Sequence, residues 1–274
     1  GVELGISSVN NKRKNFEWTT DFNINFNTNK LQKLPSDITR TQPTWSISQI
    51  YRNGGNLDEF YMPRWVGVDK ETGAPLWEVL EKDADGKVIS TSTTSDYASA
   101  TYQEVGSALP KLQGGLSSTW KYKGVGLRVN AYFLSGNKVF SNSLRFVMND
   151  GMEPYYNQIV LPDGYSTWTK PGDNATEPSP QNAANATETS TRYLKDGGFF
   201  AIRNIALSYD LPSPWVHRIG LDGVTLSVTA DNVYTFTDFL GQDPATTITS
   251  GSFVMPGVSD CKYPNNRQCL FNVN

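Results

Sequence analysis

Histidine and cysteine are nearly missing from this chain: its 274 residues include one histidine, His217, and two cysteines, Cys261 and Cys269. Zinc sites draw on those residue types at close spacing, so no metal centre of that kind is expected. Long apolar runs are missing too. No window approaches the ~18 consecutive apolar residues of a membrane-crossing helix, which excludes helical membrane proteins but leaves membrane-crossing strands open. Net charge is only −3, so electrostatics give no reason to expect nucleic acid as a partner. Carboxylates are scattered, and no acid/base pair or activated nucleophile is readable, so the chain is not read as an enzyme and no cofactor is expected. The opening Gly1-Val2-Glu3-Leu4 has neither the basic nor the apolar region of a secretion signal. It already alternates like a strand, which reads as a piece of a longer protein.

What the sequence does have is alternation. Phe16, Trp18, Thr20, Phe22, Ile24 and Phe26 share one parity, and Glu17, Thr19, Asp21, Asn23 and Asn25 share the other. Side chains of a strand point to opposite faces with period two, so one face is aromatic and the other polar. The run is about twice the usual ~5–6 residues of a strand. Similar patterns place strands over 1–10, 16–31, 111–122, 125–135, 199–211, 223–236 and from Arg267 to Asn274. In the fifth, Phe199 to Arg203 breaks parity, which predicts a bulge. Turns at 11–15, 123–124 and 212–222 are short, whereas loops 35–108, 136–198 and 238–266 are long and fall at the opposite end. Aromatics flank the short turns (Phe16, Trp18, Trp120, Tyr122, Tyr209, Trp215), and Tyr234 and Phe236 stand at the far end of their strand. Long half-polar strands, unequal loops and two aromatic girdles together predict about seven antiparallel strands of a transmembrane β-barrel. A soluble β-sandwich adhesin or carbohydrate-binding module is the alternative that alternation also allows.

Five segments, in order, carry a family resemblance. Trp168-Thr169-Lys170-Pro171-Gly172-Asp173-Asn174-Ala175-Thr176-Glu177-Pro178 resembles the W-x-x-P-G-D-x-A-x-x-P loop of the SusC/RagA family of TonB-linked outer-membrane proteins. Tyr193 to Pro212, with Asp196-Gly197-Gly198-Phe199 and Leu207-Ser208-Tyr209-Asp210-Leu211-Pro212, is similar to that family's L-x-D-G-S-F-x-R-L-K-N-x-x-L-G-Y-x-L-P strand. Ala230-Asp231-Asn232-Val233-Tyr234-Thr235-Phe236-Thr237 with Gly241-Gln242-Asp243-Pro244 resembles G-x-N-L-F-x-F-T and G-x-D-P. Gly67-Val68-Asp69-Lys70-Glu71-Thr72-Gly73-Ala74-Pro75 and Pro110-Lys111-Leu112-Gln113-Gly114-Gly115 resemble G-V-D-P-x-T-G-x-P and P-K-x-x-G-G. Two departures stand out. The basic residue of the F-x-R-L-K-N box has moved to Arg203, and the last strand closes on Phe271-Asn272-Val273-Asn274 rather than an aromatic residue.

The resemblance implies that residues 1–274 form the C-terminal part of a plugged barrel, with the plug and N-terminal regions outside this sequence. It implies the outer membrane of a Gram-negative cell as location. It implies import of oligosaccharides or oligopeptides with a SusD-like surface lipoprotein as lid, and energy from TonB reaching the barrel through the missing plug. Trp65, Trp77, Trp168 and Arg203 are the candidates for facing ligand or lid. Trp45, Tyr51, Phe60, Tyr61, Tyr97, Tyr155, Tyr156 and Tyr165 share the long loops, and aromatic side chains suit docking of a partner. Loop 136–198, polar and without strand pattern, is expected at the lid side. Cys261 and Cys269 are eight positions apart at the base of the last loop, and a disulfide between them is predicted. Asp83-Ala84-Asp85-Gly86 matches only the start of a calcium loop and reads as a turn.

Overall fold

The computed structural model describes residues 1–43, 45–155, 158–245, 255–261, 263 and 265–274. Seven long strands form one sheet: β1 (Val2–Arg13), β2 (Phe16–Phe26), β3 (Leu112–Tyr122), β4 (Val125–Ser135), β5 (Phe199–Asp210), β6 (Thr225–Phe236) and β7 (Gln268–Val273). Each pairs antiparallel with its neighbour in chain order, so the sheet is a meander with β1 and β7 at its edges. Closure into a ring is not seen among these strands. The alternation locates all seven, with two differences. β1 runs on to Arg13, leaving only Lys14 and Asn15 for the turn, and it absorbs Asn10 as an irregularity between Val9 and Asn11. β2 stops at Phe26 instead of continuing to residue 31, because Asn27 turns its amide to Lys111 and Leu31 is held by Gly55.

Register explains the two faces. Phe22 lies opposite Ile6 and Leu116, Leu127 opposite Trp120 and Leu207, and Val228 opposite Leu207 and Phe271. The apolar sets of the seven strands therefore merge into one surface. Trp18 stacks on Trp120 at 6.3 Å, and Phe22 stacks on Phe133 at 6.4 Å. Gly114 makes the second contact feasible, since a Cβ there would stand 2.6 Å from the Phe133 ring. The other face is a polar ladder: Asn130 donates to Asn204 at 3.3 Å, and Asn204 donates to Asp231 at 2.6 Å. The expected bulge is present. Asn204 pairs with Asn130 and Ile202 with Ala131, so Arg203 is the extra residue. It moves the apolar set from even to odd numbers and keeps it on the same face of the sheet. The β3–β4 turn is a two-residue hairpin with φ +48° at Lys123 and +87° at Gly124. Positive φ at both positions matches the twist of the flanking strands.

The core lies outside the sheet. Leu4, Ile6, Leu207, Val228 and Phe271 on the apolar face are 40–67 % exposed. The buried cluster is instead Ile47, Phe60, Met62 and Ala108 with Phe140, Leu144, Met148 and Tyr193 and with Met255 and Val258. All three long connections contribute to it, and all three leave the same end of the sheet. They are not open loops. The first holds a four-stranded sheet (Ile38–Thr41, Ser48–Tyr51, Glu59–Pro63, Tyr102–Ser107) and a three-stranded one (Trp65–Val68, Pro75–Lys82, Val88–Thr94). The second holds Lys138–Ser141, the helix α1 (Asn142–Val147) and Leu194–Asp196, and Val258–Ser259 of the third pairs with its first strand. These strands are mostly too short for alternation to reveal them. Among the described residues no second sheet covers the apolar face, as a sandwich would require.

Candidate functional site

The folded layer of long connections is where the family-like motifs meet. Asp69 opens the turn before Pro75–Lys82, and its Oδ1 accepts from the amides of Glu71 and Thr72 and the Thr72 hydroxyl at 2.8–3.0 Å. These bonds hold its carboxyl below the usual aspartate range. Asp173 does the same in the second motif, accepting from the Thr169 hydroxyl at 2.6 Å and from the amides of Thr169 and Lys170 at 3.0 Å. Each aspartate thus builds its own turn. The two turns are then pinned together. The Trp168 indole donates to the Lys70 carbonyl at 2.9 Å, and the Gly172 amide donates to the same oxygen at 2.9 Å. Gly73 has φ +70°, and a Cβ on it would stand 2.5 Å from the Trp168 ring, so only glycine fits beneath that indole. Trp168 is half-buried by this contact. The structure gives it a joining role between two connections, which two motifs about a hundred residues apart do not disclose.

Trp65 and Trp77 face each other across a strand pair, with rings 5.9 Å apart and edge to face. Trp77 also meets the Tyr97 ring at 5.3 Å and is fully buried, so it offers no surface to a ligand or a lid. Trp65 is half-buried. One face of it lies under the Arg192 guanidinium at 4.9 Å, and the rest lines an open cleft of about 410 Å³ with Tyr165, Glu177, Arg192 and Lys195. Arg192 is the centre of this cleft's chemistry. It donates to both Asp150 oxygens at 2.6 Å, to Glu177 Oε2, and to the Ala186 carbonyl at 3.1 Å. The three side chains are only 3–6 % exposed. Burial alone would lower the guanidinium, but the hydrogen bonds to Asp150 and the charges around it hold it above the ordinary arginine range. Burial raises the Glu177 carboxyl against the pull of Arg192, and burial lowers the Lys195 ammonium. The network ties residues 150, 177 and 192 of one connection into a single unit. Arg192 sits just ahead of the Leu194-Lys195-Asp196-Gly197 motif, and no local pattern marks it as special.

Arg203 sits apart from these tryptophans. Its place in the bulge turns it over the Phe199 ring at 5.4 Å. There it lines a pocket with Tyr234, Gln242, Asp243, Asn265 and Arg267 at the junction of sheet and loop layer. The four candidates are therefore not one site. Trp65 and Trp77 share a cluster, Trp168 joins two turns, and Arg203 stands at the sheet rim. The predicted disulfide is not formed: Cys261 and Cys269 are both free and exposed. Cys269 is fixed in β7 opposite Ala230, whereas the Cys261 amide is tied to Ser143 Oγ of α1 at 2.7 Å. Asp83 accepts from the amides of Asp85 and Lys87 and closes a hairpin, and no cluster of three metal-ligating side chains exists among the described residues. Tyr156 lies outside the described residues.

No family model matches the chain. Curated proteins do. TonB-dependent receptor P3 of Formosa agariphila is 25 % identical over 288 residues, a stretch covering the whole chain and 28 % of that protein. TonB-dependent receptor P39 of the same organism is 22 % identical across the whole chain and 30 % of its own length. Among solved structures, the RagAB peptide transporter superposes with a TM-score of 0.77 at 24 % identity, over 99 % of this chain and 28 % of the other. The RagAB peptide importer in its "closed-closed" state gives 0.71 at 25 %. The chain thus spans under a third of the length of the proteins it matches, and those proteins are receptors and transporters. Motifs, whole-chain sequence similarity and fold agree that this chain is a relative of the TonB-dependent receptors of SusC/RagA type.

Proposed function

We propose that the chain forms the C-terminal barrel wall and extracellular loop layer of a TonB-dependent outer-membrane importer. The observation that supports this reading best is the division of labour in the fold. Seven strands of up to 12 residues expose a largely apolar face, crossed by one polar row of Ser8, Thr20 and Ser118, while the large buried cluster lies in the connections at one end. A strand of ~9–11 residues spans a bilayer when tilted, so lipid is the natural cover for that face and water for the polar ladder. The remaining barrel strands and the plug, in this reading, belong to the rest of the parent protein.

The loop layer is then the outer platform. A SusD-like lipoprotein lids it, and oligopeptides or oligosaccharides too large for open pores pass beneath. A peptide is the favoured cargo, because the RagAB structures bear that description. Trp65, beside a cleft and backed by Arg192, is the strongest contact candidate for cargo or lid, and Arg203 faces the rim of the polar side. The test is uptake by cells carrying the intact receptor and its lid, using labelled oligopeptide and oligosaccharide pools, with and without TonB. Accumulation of one pool that stops without TonB is expected. Uptake of both pools unaffected by loss of TonB would refute the reading.

A further inference from the structure

The short-turn end of the sheet carries positive charge that import does not require. Lys12, Arg13 and Lys14 surround the first turn, Lys121 and Lys123 the second, and Arg218 belongs to the third, and all six are exposed. Only Glu17, Asp210 and Asp222 oppose them there. Glu17 stands opposite both Lys12 and Lys121 on the polar face, and Asp210 accepts from the Thr225 hydroxyl at 2.7 Å. None of the six cations has a carboxylate at ion-pair distance among the described residues. The excess is local, since the chain as a whole is at −3.

Register fixes where these charges sit. Arg13 lies opposite Phe16, Phe16 opposite Tyr122, Tyr122 opposite Val125, and Val125 opposite Tyr209, which is the last row of the apolar face. The stacked Trp18 and Trp120 are one row deeper. Lys123 Nζ stands 5.3 Å over the Tyr122 ring. In the third turn, Trp215, Ile219 and Leu221 are 63, 70 and 47 % exposed beside Arg218. Read along the strands, the order is apolar side chains, then an aromatic belt whose last row includes Arg13, then the cations of the turns. A bilayer has the same order of hydrocarbon, interface and phosphate, with aromatics fixing depth and long basic side chains reaching outward.

We propose that Arg13, Lys14, Lys123 and Arg218 form a collar that binds the headgroups of anionic phospholipids in the leaflet at the short-turn end. The proposal rests on the barrel reading above and adds lipid selectivity to it. Zwitterionic headgroups would satisfy the aromatic belt equally well, but they leave the uncompensated cations without a net opposing charge. A basic residue at an anionic surface contributes about a fivefold gain in binding.

The experiment uses the intact receptor reconstituted in mixed bilayers, with spin-labelled phosphatidylglycerol and spin-labelled phosphatidylcholine as probes of boundary lipid. The wild type is expected to hold phosphatidylglycerol several-fold more strongly, with the preference shrinking in high salt. The variant Arg13→Gln/Lys14→Gln/Lys123→Gln/Arg218→Gln should lose most of that preference, binding the two lipids about equally, with phosphatidylcholine bound as before. If it fails to insert, the double variant Lys14→Gln/Arg218→Gln carries the same comparison, with a smaller expected loss. A preference unchanged in the variants, or no preference in the wild type, overturns the collar and leaves the barrel standing. A wild type with no boundary lipid at all overturns the barrel reading, and the collar with it.

Discussion

Replacing Phe22 by arginine tests the sidedness of the sheet directly. Phe22 is the seventh of the 11 residues of β2, near mid-strand, flanked by Ile6 and Leu116 and stacked on Phe133 at 6.4 Å. In the proposed barrel this side chain meets lipid, where an arginine costs about 2–4 kcal/mol. Loss of the aromatic stack adds roughly 0.5–1.5 kcal/mol. Its neighbour Asn23 points to the polar face, where its Oδ1 accepts the Gly115 amide at 2.5 Å. Asn23→Arg forfeits that bond, about 0.5–1.5 kcal/mol, and keeps its charge in water. The two substitutions should therefore differ by roughly 2 kcal/mol or more, a factor of ~30 in the folded population. The assay is urea titration of the intact receptor folded into thin vesicles, reading heat-resistant migration as the folded fraction. Equal midpoints for the two variants, or a larger loss for Asn23→Arg, would refute the assignment of faces.

The loop-layer network gives a pH prediction. Glu177 titrates higher in the folded layer than in an open chain, because burial opposes its charge. Its stabilising contribution is thus full below the unfolded glutamate value of ~4.3 and fades as pH rises through the folded value. Glu177→Gln should remove this acid-side gain and cost little at neutral pH. Asp150→Asn removes the charge and turns one of the two acceptors that meet a buried guanidinium at 2.6 Å into a donor, and should cost about 3–5 kcal/mol. Protease sensitivity of the layer from pH 4 to 8 reads both, and a neutral-pH loss for Glu177→Gln equal to that of Asp150→Asn would contradict the ranking. The cysteines give a further test. Cys261 should react with a charged, membrane-impermeant maleimide in the membrane-bound receptor. Cys269, on the apolar row opposite Ala230, should need a lipid-soluble reagent. Protection of both until a reductant is added would show a disulfide after all.

The sequence by itself determined the sheet. Period-two alternation is a local property, and in long strands with one greasy face it survives any detail of packing. It located seven strands and, from a break in parity at Phe199 to Arg203, even the bulge. The motifs also carried the family relationship, because their spacing along the chain is itself sequence information. The loop layer was decided by tertiary structure alone. Its strands are mostly four to eight residues long, and its core is assembled from three connections that the alternating pattern treats as gaps. Arg192, Asp150 and Glu177 are ordinary polar residues until folding buries them together. Trp77 and Trp168 looked like exposed aromatics because a tryptophan in a loop is silent about what covers it; here Tyr97 and Trp65 cover the one, and the Gly73 turn receives the other. The cysteines are a further case: eight positions of separation permit a bridge, but strand pairing and the contact with Ser143 hold them apart. Local periodicity reports on elements that present one face to a uniform surrounding, whereas contacts between distant connections exist only once the sheet has brought their ends to the same side.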